Sequence, residues 1–343
     1  MSSVIKRPYL GPRVRGLKIK ALPREKLISL IYANSLDEFI NILKTTQYNI
    51  TIDKLTYQNF HEFRKNLINT YLDRIKSIFL GSGTDVKSVI YLHLRYFEYD
   101  NIRNLAIAIK SGKNPEDFII WEPLEFTRRR HILAALLGAR SIEEVGERLK
   151  QLKHPAHKAF ELSSKYGEDR LSIFLDRQWI EDFYSIAASQ KDKSLQTFAD
   201  DLKEYFNVVI VLRARLWGLT EEVNELIVGR PTPLVLSAVK DPPARFLENA
   251  ATAAWGKLLI DLVAESPTME NIAVALDNMY PAYVKKLSDI YIVRFSEFSL
   301  GALAAQLEYM KAEVLMLVKA AALLSEGVAA EKRGRIFEPL VRA

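Results

Sequence analysis

The chain of 343 residues contains no cysteine. Disulfides and thiolate metal sites are therefore excluded, while the redox compartment stays open. Histidine is scarce, at 5 residues. His154 and His157 lie three apart with Pro155 between them, and no carboxylate or thiolate stands at ligand spacing. His61-Glu62 lacks the second histidine of a zincin motif. His93 sits in an apolar stripe and reads as a core residue. No Gly-x-x-x-x-Gly-Lys loop is present to cradle a nucleoside triphosphate, no Gly-x-Gly-x-x-Gly follows a strand, and there is no Gly-x-Ser-x-Gly elbow. We therefore expect no catalytic residue, no metal and no cofactor. There is also no run of about 18 uncharged apolar residues, the length a spanning helix needs. The most apolar stretch, 301–324, is broken by Glu308, Lys311, Glu313 and Lys319. The N-terminus is basic but lacks the apolar core of a signal peptide. Convincing strands are missing too. Ile50-Thr-Ile52 is too short, and 208–212 falls inside a helical period. The class is all-α.

What the chain does have is an uneven charge. The formal net charge is +6. Within residues 1–30 eight cations face Glu25 alone, which leaves the remainder slightly negative. The basic start suits nucleic acid, anionic lipid or an acidic protein surface, or is a solvated tail.

It also has a repeat. Ser35-Leu-Asp-Glu-Phe-Ile-Asn-Ile-Leu43 returns as Ser141-Ile-Glu-Glu-Val-Gly-Glu-Arg-Leu149 and again as Thr268-Met-Glu-Asn-Ile-Ala-Val-Ala-Leu276. Each opens with a hydroxyl, which accepts a hydrogen bond from a first-turn amide, and follows it with carboxylates that favour the positive helix end. Ser35 to Ser141, Glu98 to Glu204, Asn101 to Asn207 and Gly112 to Gly218 share one offset of 106 residues. A shared register across four markers indicates a duplicated unit. The third copy keeps the capped helix and a late long helix around Glu308, without that register. The expected units are 1–121, 122–240 and 241–343.

In order, 1–22 reads as an extended segment punctuated by Pro8, Gly11-Pro12 and Gly16. Helices are expected over about 23–32, 35–46, 56–80 and 85–111. Arg128-Arg-Arg130-His131 opens another, and further ones cover 141–149, 170–189 and 194–219. The last carries Leu195, Phe198, Leu202, Tyr205, Val209, Leu212, Leu216 and Leu219, an unbroken seam of three- and four-residue steps. Past the prolines at 231, 233, 242 and 243, helices are expected over 243–264, 268–278, 281–298 and 300–324, followed by a short tail. The 300–324 helix repeats the seam with Leu303, Leu307, Met310, Val314, Leu317, Ala321 and Leu324.

The polar candidates are few. Arg128, Arg129 and Arg130 oppose the dipole at a helix start. They read as a solvated turn or as a grip on an acidic or phosphate-bearing partner. Glu98 with Asn101, and Glu204 with Asn207, each share a helix face. Either they meet solvent or they line an inner concavity. Asparagine is a poor helix former, which favours the concavity.

With those residues in view, the chain resembles the C subunits of archaeal A-type ATPases, the family that includes the d subunit of V-type ATPases. The resemblance is carried by Tyr9 with Arg13-Val-Arg15, by the Ser35 helix ending in Leu43-Lys-Thr-Thr-Gln-Tyr48, by Asp100-Asn101-Ile-Arg-Asn-Leu105 to Gly112, and by Glu204-x-x-Asn207 through Arg213-Ala-Arg215. It implies a funnel of three related helical units with pseudo-threefold symmetry. It implies a non-catalytic socket between the rotor shaft (stalk subunits of the D and F type) and the membrane proteolipid ring, at the cytoplasmic face of the membrane and without homo-oligomers. Interface residues would then include Arg13, Arg15, Glu98, Asn101, Arg128, Arg129, Arg130, Glu204 and Asn207. A basic-armed helical repeat that binds nucleic acid is the rival reading, which the near-neutral body disfavours.

Overall fold

The computed structural model describes residues 7–48, 50–56 and 58–342. Among them every regular element is helical. In chain order the helices are α1 Leu10–Ile19, α2 Arg24–Ile31, α3 Leu36–Lys44, α4 Phe60–Phe79, α5 Thr84–Lys110, α6 Glu122–Phe126, α7 Arg130–Leu136, α8 Ile142–Gln151 and α9 His157–Tyr166. They continue as α10 Leu171–Ser189, α11 Lys193–Leu216, α12 Val223–Leu226, α13 Pro233–Lys240, α14 Pro243–Ala250, α15 Gly256–Val263, α16 Met269–Phe295, α17 Leu300–Ser325 and α18 Ala330–Arg342. The chain divides into two compact units. One comprises residues 1–87, 193–195 and 241–343, and the other 88–192 and 196–240.

The first unit is built around α17. The sequence suggested a seam on one face, but the helix is enclosed on all sides: residues 300–314 are buried without a break, Gln306, Glu308, Lys311 and Glu313 included. A helix surrounded in this way belongs to the centre of a large body. It packs against α16, α1, α3 and α4. The start of α17 also lies against Ser194, whose hydroxyl accepts from the Gly301 amide at 2.9 Å. A Cβ on Gly301 would meet the Ser194 carbonyl oxygen at 2.5 Å, so only glycine permits this approach.

Four expectations in this unit are corrected. Residues 10–19 form a helix, not an extended arm, because Leu10, Val14 and Leu17 fall on one face and are buried. Pro12 stands in the first turn, where its missing amide would have had no partner. The expected helix over 243–264 is split: a turn lets Trp255 bury, and Lys286 donates to the freed Ala254 carbonyl at 2.7 Å. The expected break at Pro281 is absent. Met279 and Ala282, both fully buried, hold α16 continuous through the proline. The tail is a helix whose Arg333, Phe337 and Leu340 are buried, with Pro339 inside it. Arg333 donates to the carbonyls of Ile31, at 3.1 Å, and Ala33.

In the second unit the aromatic core spans α5, α10 and α11. Tyr96 meets Trp179 edge-on at 5.3 Å, and Trp179 meets Phe206 at 6.0 Å. His93 is fully buried with its ring 5.1 Å from Phe183. The seam of α11 is buried from Leu195 to Leu212 and ends at Leu216, which is 49% exposed.

The repeated caps form as the sequence indicates. The Ser35, Ser141 and Thr268 hydroxyls accept from the amides of Glu38, Glu144 and Asn271 at 3.1, 3.2 and 3.2 Å. Glu38 and Glu144 reach back one residue beyond the cap, accepting from the Asn34 and Arg140 amides at 2.8 Å each.

Candidate functional site

The polar residues singled out in the sequence divide by what they touch. Asn101 and Asn207 do the same work. The side-chain amide of Asn101 donates to the Ile120 carbonyl at 2.9 Å and accepts the Ile120 amide at 2.9 Å. Asn207 donates to the Val228 carbonyl at 3.0 Å and accepts the Val228 amide at 2.8 Å. Each long helix thus clamps the irregular segment that follows it. A carboxamide carries its donor and its acceptor on adjacent, separate atoms, which suits it to one residue's backbone pair.

A third member of this register exists at Glu313, another 106 residues beyond Asn207. Its carboxylate accepts the Leu22 amide at 2.8 Å and the Tyr48 hydroxyl at 2.6 Å, with the Arg74 guanidinium 3.8 Å away. Burial raises the Glu313 carboxyl above its ordinary value, more than the hydrogen bonds from Tyr48 and Leu22 and the charge of Arg74 lower it. The register of the third copy is therefore carried by Glu313, not by Glu308, which pairs with Lys311 at 2.7 Å inside the same helix. The signal was in the sequence, but with a changed residue type. A carboxylate suffices there because it receives an amide and a hydroxyl, both donors.

Glu98 anchors a separate cluster. Arg129 donates to it from Nε at 2.5 Å and from an Nη at 3.0 Å. The His154 Nε2 lies 2.5 Å from the second carboxylate oxygen. His154 Nδ1 accepts the Ala156 amide at 3.2 Å, so the ring proton sits on Nε2 and is donated to Glu98. Burial pushes the Glu98 carboxyl up, but the hydrogen bonds from His154 and Arg129 prevail and hold it down at about 2. Beside it, Asp182 accepts the Tyr99 hydroxyl at 2.6 Å and pairs with Arg95 at 2.7 Å.

Glu98, Asn101 and Asn207 are each only 1% exposed. The expectation that they face an inner concavity therefore fails for all three: their polar atoms already serve internal partners. Glu204 is half-buried, and it alone of the four keeps partial access to solvent. The arginine run separates. Arg129 turns inward to Glu98. Arg130 pairs with Glu125 at 3.0 Å and stacks over Trp121 at 4.8 Å. Arg128 is exposed, on left-handed backbone with φ 59°. In the first unit Arg13 donates to the Ile78 carbonyl at 2.8 Å and the Ser82 hydroxyl at 2.7 Å, closing the end of α4. Arg15 pairs with Glu297 but stays 69% exposed. The basic segment thus includes a docked helix, with Arg7 ion-paired to Asp85, Arg15 to Glu297 and Lys18 to Asp289. Lys6 lies outside the described residues.

Among the described residues no group of three or more His, Asp or Glu could hold a metal ion, and no helix is long and apolar enough to cross a membrane. The repeated polar residues of this helical body clamp its own backbone. Residues 10–333 match the family described as ATP synthase (C/AC39) subunit, and the chain belongs to that family. Among curated relatives, the A-type ATP synthase C subunit of Pyrococcus abyssi is 24% identical over 343 aligned residues, covering 95% of this chain and 89% of the relative. The C subunit of Thermococcus gammatolerans is 22% identical, with 95% and 88% covered. That of Pyrococcus horikoshii is 22% identical, with 83% and 79% covered.

Proposed function

We propose that this chain is the C subunit of a rotary A/V-type ATPase and acts there as a socket. It couples the central rotor shaft to the membrane proteolipid ring and passes torque between them, without a catalytic site of its own. Its partners are the stalk subunits of the D and F type and the proteolipids, and it sits peripherally on the cytoplasmic face. The family match over residues 10–333 carries this reading. The clamps at Asn101, Asn207 and Glu313 support it. They give three positions, one offset apart, at which a long helix holds an irregular segment by its backbone. On this basis we infer three related helical units about a pseudo-threefold axis, in a funnel, with the sequence units 1–121, 122–240 and 241–343. Torque transmission needs a stiff body, and multiply bonded buried polar clusters supply stiffness. The interface would use the candidates whose charge keeps access to solvent, Arg15, Arg128, Arg130 and the half-buried Glu204. The test is purification of the tagged chain from its native membranes in mild detergent, with its partners identified by mass spectrometry. Stalk subunits and a proteolipid recovered together in fixed ratio are expected. A complex without either would overturn the assignment.

A further inference from the structure

A pocket of about 380 Å³ in the second unit is lined by Tyr91, Arg95, Thr127, Arg128, Arg129 and His131. Three guanidiniums and an imidazole line it, and no acid does. The carboxylates paired with two of these arginines, Glu98 and Asp182, are themselves engaged. Glu98 is held by Arg129 and His154, and Asp182 by Arg95 and Tyr99. The pocket wall therefore presents more positive charge than its buried counter-ions balance.

One detail indicates that the imbalance has a use. Arg95 pairs its charge with Asp182 at 2.7 Å, so the exposed charge of the wall rests on Arg128. Arg128 closes α6: its amide donates to the Glu125 carbonyl at 3.1 Å and the Arg129 amide to that of Leu124 at 2.8 Å. This is a helix stop whose left-handed residue is usually glycine. Here an arginine occupies it at φ 59°, and its side chain lines the pocket without an ion pair among the described residues.

We propose that this pocket binds a phosphoryl oxyanion. Guanidinium forks match the geometry of phosphate oxygens and form charge-assisted bonds with them. Free phosphate and the headgroup of an anionic phospholipid offer the same chemistry, and experiment separates them. The inference rests on the pocket alone and stands apart from the rotary-ATPase assignment.

The full-length chain is titrated with inorganic phosphate at constant ionic strength, read by calorimetry and by melting temperature. In parallel it is floated with vesicles of phosphatidylglycerol or of phosphatidylcholine. Saturable binding is expected, weakened roughly tenfold or more by Arg128→Gly, the loss of one charge-assisted contact. Glycine is at ease at this backbone position, so Arg128→Gly should not lower the melting temperature of the free protein. Arg130→Ala, which alters a residue outside the pocket, should bind phosphate as the parent does. Arg128-dependent flotation with phosphatidylglycerol alone would keep the site and name a lipid headgroup as its source. Phosphate binding that does not saturate, or that survives Arg128→Gly, with no Arg128-dependent flotation, would overturn the proposal.

Discussion

Replacing Asn207 with alanine removes one amide and strands two backbone groups, the amide and the carbonyl of Val228. Both lie against a side chain that is 1% exposed, so water does not readily replace it. An unsatisfied buried donor or acceptor costs about 1–3 kcal/mol. Two of them give roughly 2–6 kcal/mol, less what local relaxation recovers. In a unit of this size, 1 kcal/mol shifts the midpoint by about 2–4 °C. We expect Asn207→Ala to lower the melting temperature of the second unit by roughly 5–15 °C, followed through Trp179, which is 1% exposed in its core. The amide of Val228 should lose hydrogen-exchange protection by a factor of about ten or more, since each 1.4 kcal/mol is tenfold. Asn101→Ala should act alike on Ile120, because the geometry is the same. Glu204→Ala, one turn earlier and half-buried, is the control and should stay within about 0.5 kcal/mol. If Asn207→Ala melts within a degree or so of the parent, or leaves Val228 protected, the clamp is not what holds the segment.

Four further outcomes are expected. With its carboxyl held at about 2, Glu98 binds fewer protons folded than unfolded, so its contribution of about 3 kcal/mol is complete above pH 4.5 and fades as pH falls toward 2. Acid titration of Glu98→Gln should show a flatter limb than the parent over that window. Glu313 has the opposite sign. Its raised carboxyl binds more protons in the folded state, so stability declines as pH climbs from 4.5 through its folded value, and Glu313→Gln should remove that decline as read by the single tryptophan of the first unit, Trp255. Deleting residues 1–20 exposes the partners of Leu10, Val14 and Leu17, each at most 3% exposed, and should destabilise the first unit by several kcal/mol at every salt concentration; a loss confined to binding at high salt would mean that the segment acts only through charge. Under the socket reading, Glu204→Lys should leave melting nearly unchanged and weaken stalk binding by roughly 2–5 kcal/mol, measured by titration with the purified stalk subunits.

The parts of the fold that the sequence disclosed are those where spacing alone carries the information. The stripe Phe60, Phe63, Leu67, Tyr71 and Ile75 on α4 is buried from Phe63 on, and the seam of α11 is buried from Leu195 to Leu212, as their three- and four-residue steps require. The three hydroxyl caps formed because a cap is a local match between a side chain and an amide three residues on. The failures lie where tertiary packing overrides local punctuation. Gly11-Pro12 and Pro281 read as breaks, yet buried neighbours on both sides keep the chain helical. Trp255 read as one more residue of a long helix, and its burial is what splits that helix.

The candidate site shows the same division more sharply. Periodicity placed Glu98 and Asn101 on one face of α5, and both do lie there, but periodicity does not say what covers a face. The cover for Asn101 is the backbone of Ile120, in the segment between α5 and α6. Once that partner is known, the 106-residue register acquires a physical meaning. What recurs is not a polar lining but a demand: each long helix must satisfy the backbone of the segment next to it. Asparagine meets that demand twice, where both an amide and a carbonyl need partners. At the third position the partner amide is that of Leu22, near the other end of the chain. Only donors arrive there, and a carboxylate replaces the carboxamide. A search for identical residues stops at Asn207, whereas a search for residues able to accept a backbone amide at the same offset reaches Glu313. The substitution also accounts for the titration behaviour, since the burial of this acceptor outweighs the hydrogen bonds and the Arg74 charge that would lower it. The same residue thus closes the first unit onto its own N-terminal segment and makes that closure sensitive to pH.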